Sequence, residues 1–287
     1  MRSDSPTSRF IQAGGLRHRI LEWEGGRDTV LILHGFLDCA GAFDRFVAHL
    51  PPDLHVVAPD FRGHGETEWA GPGGSYHFLD YVRDLRDVVD QVVRDRLFLV
   101  GHSMGGGVAV LFAGSYPEDV TRLVLIEGLG PPAEDLADGP TRLARWIRES
   151  QAIAGFGVRR FDSLEAVAER LRTRSPELDE DIGLSLAAWL SMPIDGGFTW
   201  RHDPRHRVRT ASVYRPERYD PFARAVRCPV LLVTGEKSWY RWPDLPDRRR
   251  ALVDHRLVEI PAAGHMIHYD APSELASAVL EFVAPSA

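Results

Sequence analysis

The chain has 287 residues, of which 44% are hydrophobic and 26% charged, and its formal net charge is −7. This length suits one large α/β domain with an inserted subdomain, and the composition is ordinary for a globular protein. The negative charge argues against a nucleic-acid surface, since the basic clusters at residues 201–209 and 248–250 are short enough to be solvated faces.

The first 126 residues alternate between strand and helix patterns. The polar residues 1–9 lack the apolar core of a secretory signal, and two extended stretches joined by Gly14-Gly15 predict a hairpin. Apolar runs and helical spacings then follow one another: strands over 29–33, 55–58, 97–100 and 120–126, and helices over 42–50, 81–93 and 108–116. This alternation predicts a mostly parallel sheet with right-handed crossovers.

The alternation stops near residue 130 and resumes near residue 223. Between them lie helical segments at 141–154, 164–173 and 179–190 and a Gly/Pro/Arg-rich stretch from 193 to 221. Afterwards come strands at 230–234 and 257–260, helical spacing at 248–253 and a final helix from Pro272. We therefore predict a core of residues 1–130 and 223–287, with residues 131–222 inserted as a helical cap over the sheet's C-terminal edge.

Two absences set further expectations. The chain has no run of about 18 apolar residues, so no membrane span is expected. Cys39 and Cys228 stand far apart and match no metal or redox spacing. We expect a cytoplasmic protein with buried, reduced cysteines, no metal and no cofactor, while the sequence leaves the oligomeric state open.

The pentapeptide Gly101-His102-Ser103-Met104-Gly105 is the strongest chemical signal in the chain. It follows an apolar strand and precedes a small-residue helix, which is the setting of a nucleophile elbow. Ser103 is therefore the predicted nucleophile, and the alternative is a glycine-rich turn whose serine caps a helix. After the first core strand, His34-Gly35-Phe36 lets the Phe36 N–H join the Met104 N–H as an oxyanion hole, with His34 as a structural hydrogen-bonding group.

His265 is the predicted general base among twelve histidines. It follows the last predicted strand and precedes the last helix, and in this architecture the chain order is serine, acid, histidine. His268 is expected to pack beneath the loop, and His102, beside the serine, to turn away from its Oγ.

Four motifs together resemble the α/β-hydrolase fold with a helical cap, over nearly the whole sequence. They are His34-Gly35-Phe36, Asp60-Phe61-Arg62-Gly63-His64-Gly65, Gly101-His102-Ser103-Met104-Gly105-Gly106 and Gly264-His265-Met266. Residues 196–204 are similar to a stretch in serine hydrolase-like members. The resemblance implies an α/β fold with a doubly wound, mostly parallel sheet, and a structural role for residues 60–65.

The position of the predicted catalytic acid departs from the family pattern. Most relatives carry an aspartate in a Gly-x-x-Asp arrangement after the strand equivalent to 230–234, where this chain has Gly235-Glu236-Lys237-Ser238. Some relatives, including one group of haloalkane dehalogenases, take the acid from the end of the preceding strand, where this chain has Glu127. We predict Glu127 as the acid, with Glu236 and Asp244 as alternatives; Glu127 could instead only accept backbone N–H bonds.

These residues predict a serine hydrolase that cleaves a small or medium apolar carboxylic ester through an acyl-enzyme. Diketone C–C hydrolysis, thioester hydrolysis and perhydrolysis fit the same residues, and a non-catalytic ligand-binding protein with a degenerate triad is the alternative of another class. Ser103 argues against dehalogenases and epoxide hydrolases, which need aspartate there. The aromatic residues that could line the substrate pocket are Trp146, Phe156, Trp189, Phe198, Trp200, Trp239, Tyr240 and Trp242.

Overall fold

An eight-stranded sheet lies at the centre of the computed structural model, which describes residues 5–71, 73–153, 159–173, 175 and 178–283. The strands are β1 (Thr7–Ala13), β2 (Leu16–Trp23), β3 (Thr29–Leu33), β4 (His55–Pro59), β5 (Leu97–His102), β6 (Arg122–Ile126), β7 (Ser191–Ile194), β8 (Gly197–Trp200), β9 (Val230–Gly235) and β10 (His255–Ile260). The central sheet has the order β1-β2-β4-β3-β5-β6-β9-β10, and β7 pairs with β8 outside it.

The sheet is parallel from β4 to β10 and antiparallel only where β1 and β2 join it. Every residue of β3 and β5 is buried, as expected for strands covered on both faces. The pairing sets Leu33 beside Gly101 and His102 beside Ile126, so the strands' C-terminal ends meet at one edge. The prediction of a doubly wound α/β-hydrolase sheet is confirmed.

Helices cover both faces of this sheet. They are α1 (Asp44–Ala48), α2 (Phe78–Val92), α3 (Met104–Ser115), α4 (Gly139–Ala152), α5 (Leu164–Arg172), α6 (Glu180–Leu190), α7 (Asp220–Ala225), α8 (Leu245–Ala251), α9 (Ile267–Asp270) and α10 (Pro272–Val283). Along β3, Val30 and Ile32 pack with α1 and α10, whereas Leu31 and Leu33 pack with α2 and α3. The alternation of side chains along a strand thus builds one core on each face.

Between β6 and β9 the chain forms α4 to α7 and the β7–β8 hairpin. The hairpin pairs Ser191 with Trp200 in antiparallel register, and an isolated bridge joins Phe198 to Phe161; neither was predicted. Helix α7 lies partly within the stretch expected to be irregular and packs on α3. Its Pro221 stands in the first turn, where a missing N–H costs no helical hydrogen bond.

The lengths of the helices and the burial of the two cysteines bear on two of the expectations from the sequence. Over the described residues, none of the helices has both the length and the apolar character needed to cross a membrane. Cys39 and Cys228 are buried free thiols, and burial raises the pKa of Cys228 to about 11. Both therefore pack as small apolar side chains rather than as reactive thiolates.

Candidate active site

Ser103 occupies a tight turn between β5 and α3. Its backbone lies at φ 51° and ψ −112°, a conformation that L-residues rarely adopt, and its N–H donates to the Ile126 carbonyl at 2.8 Å. A Cβ on Gly101 would come within 2.5 Å of the Gly105 carbonyl, and one on Gly105 within 2.3 Å of the Leu33 carbonyl. The two glycines are thus required for the close crossing of strand and helix that raises Ser103 at the sheet edge.

The imidazole of His265 faces the serine. Its Nε2 lies 3.0 Å from Ser103 Oγ, within hydrogen-bond reach for a serine O–H donating to a neutral ring. His102 turns away from the serine, as expected: its Nε2–H donates to the His265 carbonyl at 3.0 Å. His102 therefore fixes the backbone that carries His265.

Glu127 directly follows β6, and its carboxylate lies beside the His265 ring. Its N–H donates to the Val233 carbonyl at 2.9 Å, which extends the β6–β9 pairing, and its φ of 52° turns the chain out of the sheet. The fully buried carboxylate has Oε2 3.3 Å from His265 Nδ1. Serine, imidazole and carboxylate thus form one hydrogen-bonded chain, the arrangement that can activate a hydroxyl as a nucleophile.

The Glu127 carboxylate has two further donors. The Gly235 N–H donates to Oε1 and the Ser238 O–H to Oε2, each at 2.7 Å, while the Tyr240 N–H donates to Ser238 Oγ at 3.0 Å. Such bonds hold the carboxylate in one orientation. Ser238 therefore takes part in the site, a role that the sequence reasoning missed even though Ser238 stands where most relatives have their acid.

The two alternative acids are engaged elsewhere. Glu236 is exposed and its carboxylate accepts the Ala262 N–H at 2.8 Å. The Asp244 carboxylate pairs with Arg248, whose NH2 lies 2.6 Å from it. The structure brings Glu127, and neither of these, to His265.

A tight turn after β3 lies next to Ser103. A Cβ on Gly35 would sit 3.4 Å from Ser103 Cβ, and the Asp38 N–H donates to the Gly35 carbonyl at 3.3 Å. Phe36 is the second residue of this turn, so its N–H takes no part in the hydrogen bond that closes the turn. Met104 begins α3, where the first N–H groups have no partner within the helix. Both predicted oxyanion donors thus lie in segments beside the serine.

Two buried histidines hold the turn in place. The Phe61 N–H donates to His34 Nε2 at 2.9 Å, so the His34 proton is on Nδ1, which donates to the Gly35 carbonyl at 2.7 Å. The Leu37 N–H donates to His64 Nε2 at 3.2 Å. The peptide that carries the Phe36 N–H is thus fixed through its own carbonyl, and residues 60–65 support this turn structurally.

Four buried histidines near the site, His34, His64, His102 and His206, are held neutral. Burial lowers the pKa of His206 to about 3 and lowers those of His34, His64 and His102, the last two to well below the usual value. His206 stacks on Tyr76 with ring centroids 3.8 Å apart and contacts His64 at 4.0 Å. Protonation of this cluster would place charge where water cannot reach it.

We expect the free energy of unfolding to fall as the pH drops below about 6.5. These four imidazoles stay neutral in the folded protein, while the unfolded chain takes up their protons below pH 6.5, so each lowers the free energy of unfolding by up to about 1.4 kcal/mol per pH unit. For His206 the loss extends from pH 6.5 down to about 3. Urea denaturation at pH 7.5, 6 and 5 measures the slope, and His206→Phe, which keeps a ring against Tyr76, should flatten it. Equal stability at all three values would contradict this expectation.

Two of the aromatic residues predicted to line the pocket contact His265. Trp239 and Tyr240 contact the His265 ring, with centroids 4.4 and 5.7 Å away. The other predicted pocket residues make different contacts. Trp242 lies against the Trp239 and Tyr240 rings, Trp189 packs on Gly41, and Trp200 and Phe198 join the Phe161 cluster, while Trp146 is part of α4 and Phe156 is outside the described residues.

His268 packs beneath the loop, as expected. Its Nε2 lies 3.1 Å from Asp38 Oδ2, its ring stacks on Phe43 at 4.1 Å, and Tyr269 donates to the other Asp38 oxygen at 2.9 Å. Asp38, His102 and His268 offer metal-type ligand atoms within 4.8 Å of one another. The Nε2 of His102 donates to the His265 carbonyl and that of His268 contacts Asp38, so the cluster lies directly behind the His265 loop.

The chain is similar to known hydrolases in sequence and in structure. The chain is 29% identical to a serine hydrolase-like protein of Danio rerio over 95% of this chain and 86% of that one. It is 27% identical to a 2-(acetamidomethylene)succinate hydrolase of Mesorhizobium japonicum over 98% and 96% of the two chains. A thioesterase domain from the curacin biosynthetic pathway superposes with a TM-score of 0.86 and 27% identity, over 97% of this chain and all of that one. The sequence model of the alpha/beta hydrolase fold matches residues 28–272, and the chain belongs to this family, as a serine hydrolase-type member.

Proposed function

We propose that this hydrolase cleaves carboxylic esters with a small or medium apolar acyl group through an acyl-enzyme on Ser103. The observation that carries the proposal is the continuous chain of contacts from Ser103 Oγ through His265 to Glu127, 3.0 and 3.3 Å long. In this proposal residues 131–222 form the cap and residues 1–130 and 223–287 the core. The cap assignment is supported by the chain leaving the sheet directly after Glu127 and returning at β9.

In the first half of the reaction, Ser103 Oγ bonds to the ester carbonyl carbon as its proton passes to His265 Nε2. The carbonyl electron pair moves to oxygen, and the Phe36 and Met104 N–H groups stabilise that oxyanion, each worth about 10²–10³ in rate. When the intermediate collapses, the carbon–oxygen bond to the leaving group breaks. The alcohol then takes the proton from His265 Nε2.

Water completes the cycle. It attacks the acyl carbon, gives its proton to His265 Nε2, and forms a second oxyanion at the same donors. Collapse releases the carboxylic acid and returns the proton to Ser103 Oγ. Throughout, Glu127 accepts the Nδ1–H of His265, which fixes the ring's tautomer and offsets the charge of the imidazolium.

Thioester hydrolysis is the second candidate function. The similarity to the curacin-pathway thioesterase domain favours it, and the proposed residues would act in the same roles because the acyl-enzyme is the same. Matched oxygen and sulfur esters of one acyl group distinguish the two, since the preferred leaving atom shows in kcat/KM.

A fluorophosphonate probe tests the proposed function directly. An activated serine bonds to phosphorus and displaces fluoride, so we expect one labelled peptide, spanning Ser103, on digestion and mass spectrometry. Labelling should disappear when the protein is denatured beforehand. A folded protein that resists the probe and hydrolyses neither oxygen nor sulfur esters would instead indicate the non-catalytic, ligand-binding alternative.

A further inference from the structure

Trp239 presents a large open aromatic surface beside the proposed general base. The side chain is 64% exposed, yet its ring centroid lies 4.4 Å from that of His265 at an interplanar angle of 40°. It follows Ser238, the residue that donates to the Glu127 carboxylate. The backbone that holds the acid therefore also holds this indole against the imidazole.

The neighbouring aromatic residues are anchored differently. Tyr240 is buried and its O–H donates to the Gly130 carbonyl at 2.7 Å, while Trp242 donates its indole N–H to the same carbonyl at 3.2 Å. These bonds fix the loop after β9 to the loop after β6. Trp239, at the tip of the fixed segment, is held in place with its face open to solvent.

The two ends of a bound ester meet different parts of the site. The carbonyl oxygen must point at the Phe36 and Met104 N–H groups, whereas the leaving-group oxygen must come within reach of His265 Nε2, which protonates it. The leaving group therefore lies on the His265 side. Since Trp239 packs on that imidazole, its exposed face borders the leaving group rather than the acyl group.

Two arginines that follow Trp239 in the chain, Arg241 and Arg248, are each paired with a carboxylate. The Arg241 guanidinium lies 3.5 Å from the Glu259 carboxylate and 4.0 Å from that of Glu127, and it donates to the Gly235 carbonyl at 2.7 Å. Arg248 is buried and donates to Asp244 and to the Leu129 carbonyl at 2.8 Å. An indole face with paired guanidiniums nearby suits a neutral, flat, apolar group, which gains both buried area and ring stacking.

We propose that Trp239 determines leaving-group specificity and favours esters of flat aromatic alcohols. The proposal rests on the acyl-enzyme function proposed above and deepens it. It concerns acylation alone, because the leaving group has departed before water attacks the acyl-enzyme.

Benzyl acetate and ethyl acetate provide the test, since both alcohols leave the same acetyl-enzyme. We expect Trp239→Ala to lower kcat/KM for benzyl acetate about tenfold and for ethyl acetate less than twofold. Trp239→Phe should retain most of the benzyl preference, and cyclohexylmethyl acetate, which is as large but not flat, should show little of it. The rate of deacylation, measured by single turnover, should be unchanged in both variants. Phe10→Ala, which removes an exposed aromatic ring from the distant strand β1, serves as the control.

Three outcomes would overturn the proposal, and they are distinguishable. An equal loss for both acetates together with slower deacylation would make Trp239 a support for His265 rather than a specificity residue. Parent-like rates for both acetates in Trp239→Ala would place the leaving group elsewhere while the ester hydrolase stands. Failure of the unsubstituted protein to hydrolyse any ester, with Ser103 unlabelled by the fluorophosphonate, would remove the proposed function itself.

Discussion

Replacement of Ser103 by alanine is expected to lower kcat/KM for ester hydrolysis by about 10⁴–10⁶-fold. The hydroxyl supplies both the atom that bonds to the acyl carbon and the proton that His265 receives, so no acyl-enzyme can form without it. What remains is the slow attack of water on a substrate held by the oxyanion donors. Initial rates at high enzyme concentration measure the residual activity, and parent-like rates would exclude Ser103 as the nucleophile.

The variant should fold as the parent does. Alanine keeps the Cβ, so the backbone at φ 51° is no more strained than before, and only the contact between Oγ and His265 is lost. We expect thermal denaturation to differ by no more than a few degrees. Ser115→Ala, at the exposed C-terminal end of the same helix α3, is the matched control and should leave the activity unchanged.

The central sheet could be predicted because its strands are apolar on both faces. Thr29–Leu33 and the run beginning at Leu97 contain few polar residues. Short apolar runs of this kind between turn signals are typical of strands buried on both faces. Boundaries were less accurate: β5 extends to His102 because Gly101 and His102 still pair with Leu125 and Ile126. That pairing depends on a neighbouring strand rather than on local sequence.

The elements missed by the sequence depend on contacts with distant residues. The β7–β8 hairpin turns through Gly196 at φ 72°, and β8 is held by Phe198, which pairs with Phe161 far earlier in the chain. Helix α7 is short and forms against α3, where a Cβ on Gly114 would meet the Phe222 carbonyl at 2.2 Å. Tertiary packing, not local propensity, stabilises both.

The site, too, has features that the local sequence predicts and one that depends on distant contacts. The chain order of Ser103, Glu127 and His265 and their places at strand ends could be predicted, because parallel strands end at one edge of the sheet. The hydrogen bond from Ser238 to Glu127 could not, since it depends on side-chain directions in residues 111 positions apart. The serine at the expected acid position therefore donates to Glu127, the acid of the proposed triad.

Glu127→Gln is expected to lower kcat/KM about 10⁴-fold while the protein stays folded. The single amide oxygen can still accept from the Gly235 N–H, and the N–H₂ group then takes the place of the oxygen that faces Ser238 and His265. There it favours the wrong ring tautomer, and the neutral amide cannot offset the charge of the His265 imidazolium. Steady-state kinetics on one ester and a urea denaturation curve separate the chemical effect from any loss of stability. Glu236→Gln and Asp244→Asn are the matched controls, and a large loss in either of them with an active Glu127→Gln would move the acid to that residue.

Adding Ser238→Asp to Glu127→Gln should restore at least a hundredfold of the lost activity. Ser238 Oγ lies 2.7 Å from the Glu127 oxygen that faces His265 Nδ1, so a carboxylate on the neighbouring strand end can reach the same ring nitrogen. Ser238→Asn in the same background carries no charge and should restore nothing. Ser238→Ala alone removes one donor to Glu127. We expect it to lower kcat/KM about tenfold, which corresponds to the contribution of one hydrogen bond to a charged group. Recovery by aspartate but not asparagine would show that the site requires a negative charge at His265 Nδ1 and accepts it from either strand end. If neither substitution restores activity, the Glu127 side chain must supply an orientation that the shorter carboxylate cannot reproduce.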